Sequence, residues 1–337
     1  DADALVAMIA TASYALGFAA STAPCDILAA AGTPCVAAHS MARALYATTP
    51  MGAPLYTVYR EDDRLSTKTI TVNSKGMADT DAQDAFCNGQ WGHCIVLKIF
   101  DQSPNGNDLE LAPPGGAAHH PDKGVNASAA PSTLNGHKVY GARFTGGMGY
   151  RRENTTNIAT GDEPESMYMV VNGTHYNDGC CFDYGNAETD AIDHGKGTME
   201  AIYWGSSKGW QHGHGDTGPW VMADLENGLW AGHDKVQESN VPIVADFVTA
   251  MAKGKAGTFA LKGGDAQQGA LTTLFEGPRP PQYETMKKQG AIILGIGGDN
   301  SDWAVGTWFE GIMTKGYTTD ATDNAVQASI VAAGFGK

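Results

Sequence analysis

"WVMADLENGLW", residues 220–230, has an apolar period of two rather than 3.6. On a strand, Trp220, Met222, Asp224 and Glu226 share one face, while Val221, Ala223 and Leu225 share the other. An apolar face opposite one bearing two carboxylates predicts a strand that packs on one side and lines a cleft on the other. The alternative is a solvated face, the ordinary place for charged strand residues. Trp220 and Trp230 favour the cleft, because a sugar site sets aromatic surface beside its acids.

The rest of the chain has the same character. Runs such as "PLYTVYR" (54–60), "CIVLKIFD" (94–101), "SMYMVVNG" (166–173), "TMEAIYWG" (198–205), "ADFVTAMAKG" (245–254) and "TWFEGIMTKGY" (307–317) are bounded by Gly, Asn, Asp or Pro. Such a series predicts an all-β sandwich or barrel. Helical pattern is confined to 36–46, with Cys35 at its start, and to "DATDNAVQASIVAA" (320–333), with Thr or Asp to cap it and Gly334 following. No internal repeat, linker or composition shift divides the chain, so one domain is expected.

With 43 Gly, 15 Pro and only 18% charged residues, the 337-residue chain is turn-rich and charge-poor, as all-β secreted proteins are. Its formal charge of -15 argues against nucleic acid or an anionic membrane as partner, since both call for clustered Lys and Arg. A neutral polysaccharide is indifferent to that sign. Six cysteines fall in three close pairs, Cys25/Cys35, Cys87/Cys94 and Cys180/Cys181, and the spacing favours local pairing. Together with sequons at Asn126, Asn154 and Asn172, they predict a secreted glycoprotein. The opening residues are apolar and Ala-rich but lack Met and a basic start. Residues 1–22 are therefore read as a signal-like or artefactual segment, and 23–337 as the folded domain. No other window reaches the length of a membrane span.

Adjacent cysteines have α-carbons about 3.8 Å apart across a trans peptide and about 2.9 Å across a cis one, against about 4.4–6.8 Å in a relaxed disulfide. Cys180 and Cys181 are thus two thiols, two half-bridges to distant partners, or one ring closed on itself.

A second acid stands out in "AIILGIGGDNSDW" (291–303), where a hydrophobic strand runs into a glycine-rich loop presenting Asp299. Glycine lets backbone approach a ligand closely, although Gly-Asp-Asn-Ser is also ordinary turn chemistry. A dinucleotide fingerprint fails: Gly295 and Gly297 fit, but position 300 is Asn and no helix pattern follows. "GSSKG" (205–209) matches a nucleophile elbow around Ser207 but lacks the helix that motif needs. "HGHGD" offers His212, His214 and Asp216 at metal-like spacing on a glycine loop poorly suited to fixing geometry. Two carboxylates from separate strands are the minimum kit for glycoside hydrolysis. From the residues alone, a glycosidase and a sugar-binding sandwich both remain open.

The segments "PCDI" (24–27), "GTPCVAAHS" (32–40), "KIFDQSPNGNDLELAPPGG" (98–116), "DEPESMYMVVNGTHYNDGCCFDYGNAETD" (162–190), "GPWVMADLENGLW" (218–230) and "QGAIILGIGGDNS" (289–301) closely resemble the catalytic domain of glycoside hydrolase family 54, the α-L-arabinofuranosidases. The resemblance runs from about Pro24 to the C-terminus. It implies a concanavalin-like jelly-roll sandwich with few short helices, retaining chemistry, and no metal or cofactor. Position by position, it implies Glu226 as nucleophile and Asp299 as general acid/base. Asp224 and Asn227 would bind the sugar, Gly298 would offer a backbone contact, and Trp210 would form an aromatic wall. It further implies disulfides Cys25–Cys35 and Cys87–Cys94, and a vicinal disulfide Cys180–Cys181 set against the arabinofuranose.

The expected activity is release of terminal arabinofuranosyl residues from arabinan or arabinoxylan side chains by a secreted monomer. A lectin-like, non-catalytic sandwich is the alternative. Three features depart from the family pattern. Residues 1–22 have no counterpart, the loop after Trp210 is longer and richer in His, and the family's C-terminal arabinose-binding β-trefoil is expected to be absent.

Overall fold

Strand Trp220–Asp224 pairs antiparallel with Glu200–Gly205 on one side and Leu229–Trp230 on the other. The computed structural model in which it is seen describes residues 23–63, 65–88 and 93–337, and the segment 1–22 lies outside them. The sheet continues through Asp183–Ala187, Ala291–Leu294, Tyr150–Arg152, Leu109–Leu111, Cys94–Ile99, Pro54–Arg60 and Thr67–Thr71, giving a 10-stranded sheet. Its partner is an 8-stranded sheet built on Thr272–Pro278, Thr258–Asp265, Phe247–Lys255, Glu165–Tyr176, Gly306–Lys315, His137–Phe144 and Ala130–Leu134, with Cys35–Ser40 paired to Gly306–Lys315. The two stack as the predicted β-sandwich.

Register decides which side chains meet. Val221 lies opposite Trp204, Ala223 opposite Ile202, and Tyr184 opposite both Ile202 and Leu294. All point into the inter-sheet core, against Met169, Val171, Ala250 and Leu261 of the other sheet. Burying each large aliphatic chain stabilises by about 1.5–3 kcal/mol. The alternate rows, Asp183–Tyr203–Met222 and Gly185–Ala201–Asp224, therefore face outward. The acids ride on the back of a core strand.

The helix expected over 36–46 does not form. Cys35–Ser40 is instead a strand, paired with Glu310–Thr314 and buried along its whole length. Alanine's helix propensity is a fraction of a kcal/mol per residue, and buried pairing outweighs it. Two short helices escaped the sequence reading. Pro24–Ala30 starts on a proline and is tied to the new strand by the Cys25–Cys35 disulfide. Thr80–Cys87 is capped by Asp79, whose side chain accepts from the Ala82 N–H at 3.1 Å. The helix Asp320–Ala333 forms as predicted, with Thr319 as N-cap and Gly334 left-handed after it.

A buried ionic network crosses the sandwich. Lys288 Nζ sits 2.9 Å from Glu165 of the 8-stranded sheet and 3.0 Å from Glu200 of the 10-stranded one. Arg279 reaches Glu200 at 2.9 Å. Each charge is paired, which is the condition for keeping ions in a low-dielectric interior. The two cations bracket residues 280–287 and so fix the segment carrying Tyr283.

Candidate active site

Asp224 ends its strand, and the chain then turns sharply. Glu226 and Asn227 both adopt left-handed conformations, with φ of 62° and 58°. Non-glycine residues rarely do so without support. Here the Tyr283 hydroxyl bonds the Glu226 carbonyl at 2.9 Å and reaches the Asn227 carbonyl at 3.1 Å. Asp224 Oδ1 accepts from the Glu226 N–H at 3.1 Å. The turn swings the Glu226 carboxyl over the outer face of the sheet, beside Asp224.

Asp299 arrives from the neighbouring half of the sheet. After Ala291–Leu294 the chain loops tightly, with the Gly297 N–H donating to Ser301 O at 2.9 Å and the Asn300 N–H to Gly297 O at 3.1 Å. Ser301 donates both its N–H and its hydroxyl to Asp299 Oδ1, at 3.1 and 2.7 Å. Gly298 leaves no room for a side chain. A Cβ there would lie 2.1 Å from Glu188 Oε2 and 2.8 Å from Glu226 Oε2. The Gly298 carbonyl accepts from Arg151 Nη1 at 2.8 Å.

The cysteines are bonded as Cys25–Cys35, Cys87–Cys94 and Cys180–Cys181, the last across a cis peptide. Asp224 Oδ2 lies 3.3 Å from the Cys181 sulfur. The Cys181 N–H donates to Ser301 O at 3.2 Å, so the ring and the Asp299 loop are stitched together. Cys180, Cys181, Trp210, Asp224, Glu226, Asn227, Gly298 and Asp299 all line one cavity of about 340 Å³.

Residues 24–336 match the family described as "Alpha-L-arabinofuranosidase B, catalytic". Alpha-L-arabinofuranosidase B of Emericella nidulans is 51% identical over 332 residues, covering 96% of this chain and 64% of the relative. The Aspergillus niger enzyme of the same name is 51% identical over 330 residues, covering 95% of this chain and 65% of the relative. A crystal structure of an arabinofuranosidase complexed with arabinofuranosyl-α-1,2-xylobiose superposes with a TM-score of 0.88 at 50% identity, over 93% of this chain and 65% of that one. The chain belongs to the arabinofuranosidase B catalytic family, glycoside hydrolase family 54. It spans about two thirds of those relatives, 64% and 65% of their length.

Among the described residues that line the pocket there is no Lys or Arg. Burial, and then the Asp224 carboxylate, push Asp183 far above the usual carboxylate range, making it the protonated donor toward Asp224. Burial lifts Asp224 to about 7. Burial, followed by the charges on Asp224 and Glu188, pushes Glu226 up to about 11 in the empty site. Burial also raises Glu188, against the opposing hydrogen bond from Thr198. Arg151 donates to the backbone carbonyls of Gly298 and Glu188 rather than to these carboxyls. The cluster therefore holds protons in common.

Several pocket residues went unread in the sequence. Asp183 reaches Asp224 from two strands away, over the small Ala201 that lies opposite Asp224. Small residues at 185 and 187, alternating with it along that strand, were the available signal. Asp193 takes both hydrogen bonds from Asn227 Nδ2, at 2.9 and 3.0 Å. Trp303 joins Trp210 among the lining residues. Trp220 is corrected: it is fully buried beneath the pocket, its Nε1 donating to His214 O at 3.1 Å. Trp230 packs edge-on against Tyr283. The strand supplies Asp224 to the site; the turn, not the alternation, supplies Glu226. His212 faces the Gly213 carbonyl and His214 the Glu238 carboxylate, and among the described residues neither comes within shared ligand reach of Asp216. Ser207 is buried and its hydroxyl accepts from the Gly209 N–H, with no helix following.

Proposed function

We propose that this protein is a retaining, exo-acting α-L-arabinofuranosidase, with Glu226 as nucleophile and Asp299 as general acid/base. The observation that carries the reading is the convergence of these two acids, from separate strand ends, on one sugar-sized cavity. Glu226 attacks C1 of a terminal arabinofuranosyl unit, and the bond from C1 to the leaving oxygen breaks as that oxygen takes the Asp299 proton. Asp299 then removes a proton from water, whose oxygen attacks C1 and frees Glu226. The anomeric configuration is retained.

Each step has a local counterpart. The hydrogen bonds from Ser301 fall on Asp299 Oδ1, which leaves Oδ2 to carry and deliver the proton. Attack requires that the proton shared near Glu226 reside on Glu188, so that Glu226 is the ionised member. Asp224, with Asp183 behind it, and Asn227, with Asp193 behind it, are held ready for sugar hydroxyls. The Cys180–Cys181 ring gives the sugar a flat, polarisable wall whose rigidity leaves little entropy to lose on binding.

The polymers suggested by the substrate of the solved relative are arabinoxylan and, by the family, arabinan. Three disulfides and the sequons at Asn126, Asn154 and Asn172 support secretion. Among the described residues no helix is long and apolar enough to cross a membrane. We expect a monomer, since this chain itself supplies Glu226, Asp299, Asp224 and Asn227 to the pocket. Incubation with arabinan, arabinoxylan and 4-nitrophenyl α-L-arabinofuranoside, followed by proton NMR of the first product, tests the reading. Free arabinose appearing first as the α-anomer supports it. No release from any of the three would overturn it in favour of a binding-only sandwich.

A further inference from the structure

Trp303 combines a fixed backbone with an unpacked side chain. Its N–H donates to the Cys180 carbonyl at 3.1 Å, and its own carbonyl accepts from Asn177 Nδ2 at 3.3 Å. Asn177 Oδ1 in turn holds the Val305 N–H at 3.1 Å. Yet the residue is 58% exposed. Scattered surface tryptophans need no explanation. Among the exposed large apolar side chains of the described residues, however, only Trp210 and Trp303 line the acidic pocket.

The two stand on different elements. Trp210 precedes Gln211, whose N–H donates to the Leu229 carbonyl at 3.3 Å, so it borders the turn that carries Glu226. Trp303 follows Asp299 by four positions on the same loop. In the reaction proposed above, the general acid delivers its proton to the oxygen joining arabinofuranose to the next unit. The leaving unit must then lie on the Asp299 side of the cavity, where Trp303 is the available flat surface.

We infer that Trp303 is the platform for the leaving-group sugar, receiving the carbon–hydrogen face of the neutral ring attached through the scissile oxygen. The negative face of an indole attracts the weakly positive C–H edge of a sugar, as it does other positive edges. A tryptophan has only two side-chain torsions to freeze on contact, and its backbone is already pinned, so the ordering cost is small. The net negative pocket excludes anionic aglycones and leaves neutral ones unpenalised. This inference rests on the arabinofuranosidase reading and adds to it a determinant of which linkage partner is preferred.

The test compares wild type, Trp303→Ala and Trp303→Phe on two substrates, arabinofuranosyl-α-1,2-xylobiose and methyl α-L-arabinofuranoside. The first presents a full leaving sugar and the second only a methyl group. The expected result is that Trp303→Ala lowers the ratio of kcat/KM for the trisaccharide to that for the methyl glycoside by about tenfold, equivalent to about 1.4 kcal/mol. Most of the change should lie in KM, and Trp303→Phe should recover most of it. An equal loss on both substrates would reduce Trp303 to a support of the Asp299 loop, and no loss on either would make the ring incidental. Each overturns the platform while leaving the activity intact. A wild type that cleaves neither substrate instead overturns the activity reading on which this one rests.

Discussion

The Tyr283 hydroxyl bonds the Glu226 carbonyl, 2.9 Å away, from a segment pinned at both ends by buried cations. The contact steadies a turn in which Glu226 and Asn227 are both left-handed. Removing the hydroxyl leaves two carbonyls short of a donor, a loss of about 1–3 kcal/mol. Tyr283→Phe is expected to lower the thermal midpoint by a few degrees and kcat/KM by about tenfold. Calorimetry with steady-state kinetics on the nitrophenyl glycoside checks both, and unchanged kinetics would show that the turn holds without this contact.

Glu226→Gln should reduce turnover by about a thousandfold or more, because an amide cannot attack C1. Asp299→Ala should cost far less on a nitrophenyl glycoside, whose leaving group needs little protonation, than on arabinoxylan. Added azide should restore the alanine variant by taking the place of activated water. Equal losses on both substrates, without azide rescue, would remove Asp299 from the acid/base role.

Glu188 and Glu226 share a proton, while the nearby Arg151 is engaged by the backbone carbonyls of Glu188 and Gly298 and only partly offsets the effect of burial on Glu188. Glu188→Gln replaces one competing charge with a neutral amide that can donate, so Glu226 ionises more readily. The acidic limb of the kcat/KM profile should shift to lower pH. A purely structural effect would scale the profile without moving the limb.

Asp122, Glu165 and Asp224 are each pushed up to about 7, chiefly by burial. Their folded values exceed the unfolded ones of about 4, so the folded state binds more protons between those limits. The stability they contribute is full below about pH 4 and is lost as pH rises through about 7. Thermal midpoints should therefore fall from about pH 4.5 to pH 7.5. A midpoint that climbed over this interval would contradict the assignment of these carboxyls.

The strands were legible because alternation and Gly/Pro punctuation act locally, and the outward placement of Asp224 follows from the same alternation. The segment 36–46 misled because its alanines suit a helix, while its partner strand lies some 270 positions away in the chain. Glu226 was legible as a residue but not as a geometry, since its position depends on left-handed dihedrals supported from Tyr283. Glu188 and Asp193 were invisible for a related reason, and Asp183 was marked only by the small Gly185 and Ala187 that alternate with it. Each acts on a neighbour supplied by sheet register or loop packing, which no local spacing records. Trp220 shows the reverse error: an aromatic beside an acid was read as surface, whereas it is fully buried under the acid.

The strand Trp220–Asp224 fills the core through Val221 and Ala223 with one face and carries Asp224 on the other. Slipping it by a single residue would drive a carboxylate between the sheets and expel the aliphatic side chains to solvent. The floor of the pocket is thus inherited with the fold and cannot drift by small steps. The rim is different: Trp210, Asp193 and Trp303 stand on connecting segments outside the strands of either sheet. The fold thus sets a fixed anvil and an exchangeable jig: side chains on the rim can be replaced without renegotiating the core.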